Sequence, residues 1–215
     1  KLIISLSEMS FMPNGYTQTC SASINVFKPD GTLFTTSIIS PFYAPSGSLN
    51  LAAFTVAGTY TLTINPSDRC TLVSNVSIKP QASGTITVNG STISASMPIA
   101  GQPVLYNFAG TSGQYLSLAV TGVAVNPATA GNVQIRILNP DTSALIASSV
   151  GNGINAFVDF PILAATGTYV VELTPPTGAA ATANLLLSSV ITGTATTNGA
   201  ILPLAITRVG QNARL

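Results

Sequence analysis

Two cysteines, Cys20 and Cys70, and six carboxylates are the first residues to weigh for chemistry in this 215-residue chain. Histidine is absent. That removes the usual general base, the commonest metal ligand and every Ser/His or Cys/His nucleophile pairing. The acids Glu8, Asp30, Asp68, Asp141, Asp159 and Glu172 stand singly in the sequence, without the clustering that shared-proton or cation-binding chemistry requires. Gly151-Asn152-Gly153 is a Gly-x-Gly with neither a third glycine nor a following helix, so it reads as a loop, not a phosphate cradle. Asn75-Val76-Ser77 and Asn89-Gly90-Ser91 have the form of N-glycosylation acceptors; they read first as part of a strand and a turn, with a surface glycan as a further partner. The expectation is a chain with no catalytic residue, no cofactor site and no metal site, and therefore not an enzyme.

Composition excludes other partners. Seven Lys and Arg against six Asp and Glu leave a net charge of +1, too little for a basic footprint on nucleic acid or an anionic membrane. Charged residues make up 6% of the chain against about 25% in ordinary globular domains, with Ser and Thr supplying the polar surface instead. Mean hydropathy is +0.49, yet Ser, Thr, Gly or Pro breaks each apolar run before the ~18 residues that signal a membrane helix. Lys1 to Ser10 carry no start methionine, apolar core segment or small-residue cleavage site, so the sequence reads as starting inside a longer product.

The elements that must position these residues are strands. In Thr59-Tyr60-Thr61-Leu62-Thr63-Ile64 the apolar residues alternate with threonine, the pattern of a strand buried on one face. Pro29-Asp30-Gly31 and Asn139-Pro140-Asp141 read as turns, and Asn89-Gly90 as a two-residue hairpin between 84–88 and 91–94. No stretch combines a helical period with a cap. The fold class is all-β.

An internal repeat organises the strands. Ala57-Gly58-Thr59-Tyr60 returns as Thr166-Gly167-Thr168-Tyr169, an offset of 109 (57 to 166), and Tyr60, Leu62 and Ile64 return as Tyr169, Val171 and Leu173. Ala22, Ile24, Val26 and Pro29-Asp30 return as Val133, Ile135, Ile137 and Pro140-Asp141, an offset of 111 (29 to 140). Ser83-Gly84-Thr85 through Asn89-Gly90 reappears as Thr192-Gly193-Thr194 through Asn198-Gly199, and Gly101-Gln102 as Gly210-Gln211. The expected domains are a first β-sandwich, 1–80, lacking its opening strands; a complete second one, 83–190; and 192–215, the opening strands of a further repeat. Leu215 aligns with Tyr106 and Lys1 with Tyr115, so Asn107 to Gln114 has no second copy. A gap at one end and matching unpaired strands at the other predict that neighbouring units share terminal strands.

Gly101-Gln102-Pro103-Val104-Leu105-Tyr106-Asn107-Phe108, Ser112-Gly113-Gln114-Tyr115-Leu116-Ser117-Leu118, Val133-Gln134-Ile135-Arg136-Ile137-Leu138-Asn139-Pro140-Asp141 and Ala165-Thr166-Gly167-Thr168-Tyr169-Val170-Val171-Glu172-Leu173 together resemble the bacterial pre-peptidase C-terminal domain, in two tandem copies. The resemblance implies jelly-roll-like antiparallel β-sandwiches of a secreted, usually non-catalytic type, appended to exported hydrolases or strung in large surface proteins. Some relatives hold calcium through acidic clusters, and the scattered acids here give no such site. Motifs of this kind speak to fold more than to function.

Cys20 and Cys70 both fall in the first repeat, and their counterparts are Gly131 and Ala179. Joint presence and joint absence predict a disulfide and with it an oxidising, extracellular or cell-surface location; two buried thiols or a two-cysteine metal site are the alternatives. Lys28, Arg69, Lys79 and Arg136 read as solvated charges or edge guards. Arg208 and Arg214, standing where the complete repeat has Ile99 and Leu105, face outward or across an interface. The function read from these features is a structural subunit or repeat segment of an extracellular filament or surface fibre, whose partners are copies of itself. Leu202, Leu204, Ile206, Ala213 and Leu215 would be the inward-pointing residues of the assembly strand. The alternative is a non-catalytic binding or adhesion module of a secreted protein.

Overall fold

A computed structural model describes residues 2–13, 20–39, 47–67 and 70–215. The chain divides into two compact units, Lys1–Gln81 with Ala100–Gln102, and Ala82–Ile99 with Pro103–Leu215. Every element among the described residues is a strand, as the alternation demands. Asp68 and Arg69 lie outside the described residues.

The first unit holds β1 (Leu2–Pro13), β2 (Ala22–Phe27), β3 (Leu33–Ile39), β4 (Gly47–Asn50), β5 (Thr61–Pro66) and β6 (Cys70–Pro80). They form two three-stranded sheets, ordered β4-β1-β6 and β3-β2-β5. Ile4 and Leu6 from one sheet and Ala22, Ile24 and Val26 from the other make the core. The period-2 pattern of β2 aims those three side chains at the opposing sheet and Ser23 and Asn25 away from it.

The second unit holds β7 (Ser83–Thr85), β8 (Ile93–Met97), β9 (Val104–Gly110), β10 (Leu116–Asn126), β11 (Val133–Leu138), β12 (Ala144–Val150), β13 (Ala156–Asp159), β14 (Gly167–Thr174), β15 (Ala180–Ser189), β16 (Ile191–Thr192) and β17 (Ala213–Arg214). Its sheets are ordered β13-β10-β15-β8 and β12-β11-β14-β9-β7, with a short parallel β16–β17 pair beside them. The order β4-β1-β6 thus matches β13-β10-β15, and β3-β2-β5 matches β12-β11-β14.

Local geometry repeats as well. The β1–β6 ladder slips between Ser7 and Ser10, and the β10–β15 ladder between Thr121 and Ala124; each bulge carries a left-handed residue, Glu8 at φ 53° and Gly122 at φ 58°. Tyr60 donates its hydroxyl to the Val56 carbonyl at 3.0 Å, and Tyr169 to the Ala165 carbonyl at 2.8 Å. Asp30 and Asp141 close equivalent turns: each carboxylate accepts from the backbone N–H and the hydroxyl two residues on, Thr32 and Ser143.

Three expectations change. Asn89-Gly90 is a turn, closed by the Gly90 N–H donating to the Thr87 carbonyl at 2.9 Å, but not a hairpin. Strand β7 pairs with β9 in one sheet and β8 with β15 in the other, so the turn carries the chain across the sandwich. Arg136 is not simply solvated; the β11–β14 register sets it opposite Glu172, and its guanidinium meets that carboxylate at 2.9 Å. Arg208 and Arg214 both turn onto the second unit, as described below.

Candidate assembly site

The paired sheet orders expose a difference at one edge of each sheet. In the second unit β8 caps β15 and β9 caps β14. Among the described residues, no strand pairs with the corresponding edges of β6 and β5 in the first unit. Among the described residues, both rows of backbone N–H and C=O groups lack a ladder partner, the feature that makes an edge a template for another strand.

The side chains differ between the two units in the same place. Val76 and Ile78 sit directly opposite Leu6 and Ile4 in the β1–β6 register, hence on the core face, yet they are 46% and 55% exposed. Their counterparts Leu185 and Leu187 are 0% exposed. Tyr60, Leu62 and Ile64 are only half-buried where Tyr169, Val171 and Leu173 are fully buried. Between the two sheets lies an apolar cleft of about 380 Å³, floored by Ile4, Val26 and Leu62 and rimmed by Phe54, Tyr60 and Ile78. Phe54 and Tyr60 pack ring to ring at 4.3 Å on its rim. In the second unit the inner faces of β8 and β9 contribute Ala95, Met97, Val104 and Phe108 to the core, and Phe108 stacks on Tyr169 at 5.4 Å.

One disulfide closes the other end of the first unit. Cys20, just before β2, bonds Cys70, the first residue of β6, with the Cα atoms 5.8 Å apart. The bond ties one sheet to the other, and it settles the cysteine alternatives in favour of the disulfide.

The residues expected to form an assembly strand lie in the chain after β15. Leu202, Leu204 and Ile206 are 41%, 45% and 52% exposed, and residues 193–207 are without a strand partner among the described residues. Of their counterparts in β8, Ala95 and Met97 are fully buried and Ile93 is partly buried. Ala213 is half-buried and Leu215 exposed. The tail repeats some local geometry of residues 83–105: Asn198 and Asn89 share φ 59°, Gly210 and Gly101 have φ 70° and 67°, and Thr192 pairs with Arg214 as Ser83 pairs with Leu105.

Other sequence candidates are occupied locally. Gly151-Asn152-Gly153 is a loop in which the Asn152 side chain accepts from the Val125 N–H at 2.8 Å. The side-chain amide of Asn75 donates to Glu8 at 2.8 Å and that of Asn89 to Ser189 at 2.9 Å. Hydrogen bonds from the Thr32 hydroxyl, then its N–H, hold the Asp30 carboxyl below its ordinary range, and Ser143 does the same for Asp141; these are turn-stabilising carboxylates. Among the described residues no group of three or more acids and cysteines converges as a metal site would require.

No family model matches the chain, and no curated protein does. Solved structures with which it shares a likeness include the pre-peptidase C-terminal domain of a collagenase from Bacillus anthracis, at 17% identity over 51% of this chain and 97% of that one, with a TM-score of 0.37. Structures of infectious bursal disease virus, strains Gx and Gt, match at 11% identity over 86% of this chain and 55% of theirs, with TM-scores of 0.23. The chain is an all-β, sandwich-like protein with a cross-sheet disulfide.

Proposed function

We propose that the chain is a non-catalytic structural subunit of an extracellular filament or surface fibre, built from two tandem copies of one jelly-roll-like sandwich and joined head to tail by strand sharing. The observation that carries the reading is the mouth of the first unit, where among the described residues β5 and β6 have no counterpart to the partners β9 and β8 of β14 and β15. The tail of a second copy supplies strands of the same sequence pattern. Residues 193–207 hold no charged side chain, which suits an apolar cleft.

The second unit gives the register. Ile93 pairs with Leu185 and Met97 with Ala181, so Leu202 of one copy meets Val76 of the next and Ile206 meets Leu72. Ala213 and Leu215 would continue along Ile64 and Leu62, as Val104 and Tyr106 do along Leu173 and Val171. Backbone hydrogen bonds hold such an added strand, and alternate side chains set its register. Pro203, which has no N–H, sits in the middle of the arm and blunts its outer edge against a further strand. Because donor and acceptor are different surfaces, the contact is heterologous and propagates. The disulfide supports an oxidising location.

Deleting residues 192–215 tests the reading. The truncated chain should stay monomeric with a poorly ordered first unit, and a peptide of residues 192–215 should restore order without restoring growth. Should consecutive units belong to one long polypeptide, the same strands would lie in the next unit's sheets and denaturation would release no 215-residue chain. An untruncated chain that stays monomeric and binds polysaccharide or cells would instead establish the adhesion module.

A further inference from the structure

We infer that residues Arg208–Arg214 are a fixed joint that clamps the base of the tail to its own second unit and so sets the direction in which the donor strand leaves. The joint itself is independent of strand sharing; its consequence for a fibre rests on that reading.

The tail has two parts with different environments. Residues 193–207 are exposed throughout, whereas Arg208 and 210–213 are partly buried. Arg208 donates from Nε to the hydroxyl of the fully buried Ser188 at 2.8 Å, and its terminal nitrogen donates to the Gly90 carbonyl. Gln211 donates its side-chain N–H to the Ser189 carbonyl at 3.0 Å, and Asn212 donates to Asp159. The Arg214 guanidinium lies 4.3 Å from the centre of the Tyr115 ring, a cation–π contact. The backbone closes the joint: Ile191 N–H donates to the Asn212 carbonyl at 2.9 Å and Gly193 N–H to the Arg214 carbonyl at 3.0 Å.

Gly210 explains how the chain approaches so closely. At φ +70° it occupies the left-handed region, and a Cβ built there would lie 2.7 Å from a Phe157 ring carbon and 2.9 Å from Ala119 Cβ. Only glycine meets both demands. A seven-residue segment held by this many directional contacts does not behave as a flexible linker. Repeating one fixed rotation at every junction gives a straight helical fibre instead of freely jointed beads.

The test uses the full chain, unaltered and as Arg208→Gln and Gly210→Ala variants. Hydrogen exchange on the isolated chain should find the Ile191 and Gly193 amides protected, residues 196–206 unprotected, and the two amides exchanging at least about tenfold faster in each variant. In fibres viewed by electron microscopy, both variants should still assemble through the intact arm but with a persistence length several-fold shorter. Unprotected Ile191 and Gly193 amides in the unaltered chain, or variant fibres as straight as the original, would overturn the joint. If the unaltered chain forms no fibres, that result counts against strand sharing, and amide protection alone decides the joint.

Discussion

Removing the Cys20–Cys70 bond should unfold the first unit selectively. The bond closes a loop with a sequence separation of 50. By loop-closure entropy the unfolded chain loses about 14 cal/mol/K, or about 4 kcal/mol at 25 °C. That is large for this unit. Its core contains seven buried apolar side chains among the described residues, against twenty-five in the second, and a thin core leans on a covalent staple. At about 4–8 °C per kcal/mol for a domain of this size, the first transition should fall by roughly 15–30 °C. Differential scanning calorimetry of the oxidised chain and of a Cys20→Ala, Cys70→Ala variant would measure it. Two transitions are expected, with the upper one, from the second unit, unmoved because that unit carries Gly131 and Ala179 at the equivalent places. Equal shifts of both transitions, or no shift in the lower one, would refute the reasoning.

Other outcomes follow from particular side chains. Met97→Ala, at a fully buried site, should cost about 2–5 kcal/mol in the second unit by urea titration, while Ile206→Ala should stay within about 0.5 kcal/mol in the monomer and slow assembly. Tyr169→Phe removes the bond to the Ala165 carbonyl and should cost about 1 kcal/mol. Thr142 holds φ 70° where the matching turn has Gly31 at φ 82°, so Thr142→Gly should raise stability by about 1 kcal/mol in the same titration. The folded pKa values of Asp30 and Asp141 are depressed by their turn hydrogen bonds. Their contribution is therefore present above the ordinary carboxylate pKa and is lost as pH falls through the depressed one; melting followed from pH 7 to pH 2 should decline only at the acid end, and less so in an Asp30→Asn, Asp141→Asn variant.

The fold was legible because local signals agreed. Strict alternation in 59–64, turn residues at 29–31 and 139–141, and a repeat that preserved facing all pointed to strands packed in sheets, and the paired loss of two cysteines pointed to the bond between them. What the sequence did not disclose depends on partners distant along the chain. An Asn-Gly turn specifies reversal at 89–90 but not which strands flank it, so the crossing between sheets was hidden. Arg136 and Glu172 are 36 residues apart and meet only through the β11–β14 register. The polar anchors of Arg208 and Asn212 are likewise set by Ser188, Gly90 and Asp159, which no local pattern links to the tail. The exposure of Val76 and Ile78 on the core face of β6 likewise emerges only when they are compared with the buried Leu185 and Leu187.

Strand sharing itself is tested most directly by cross-linking across the proposed junction. Leu202 and Val76 are the counterparts of the paired residues Ile93 and Leu185, and directly opposed strand residues bring their Cβ atoms close enough for a disulfide with little adjustment. A chain carrying Val76→Cys and Leu202→Cys, oxidised after assembly and run on a non-reducing gel, should give a ladder of covalent multimers. The matched control, Ile38→Cys with Leu202→Cys on the exposed far strand β3, should give none. Monomers alone from the first variant, or equal ladders from both, would contradict the account.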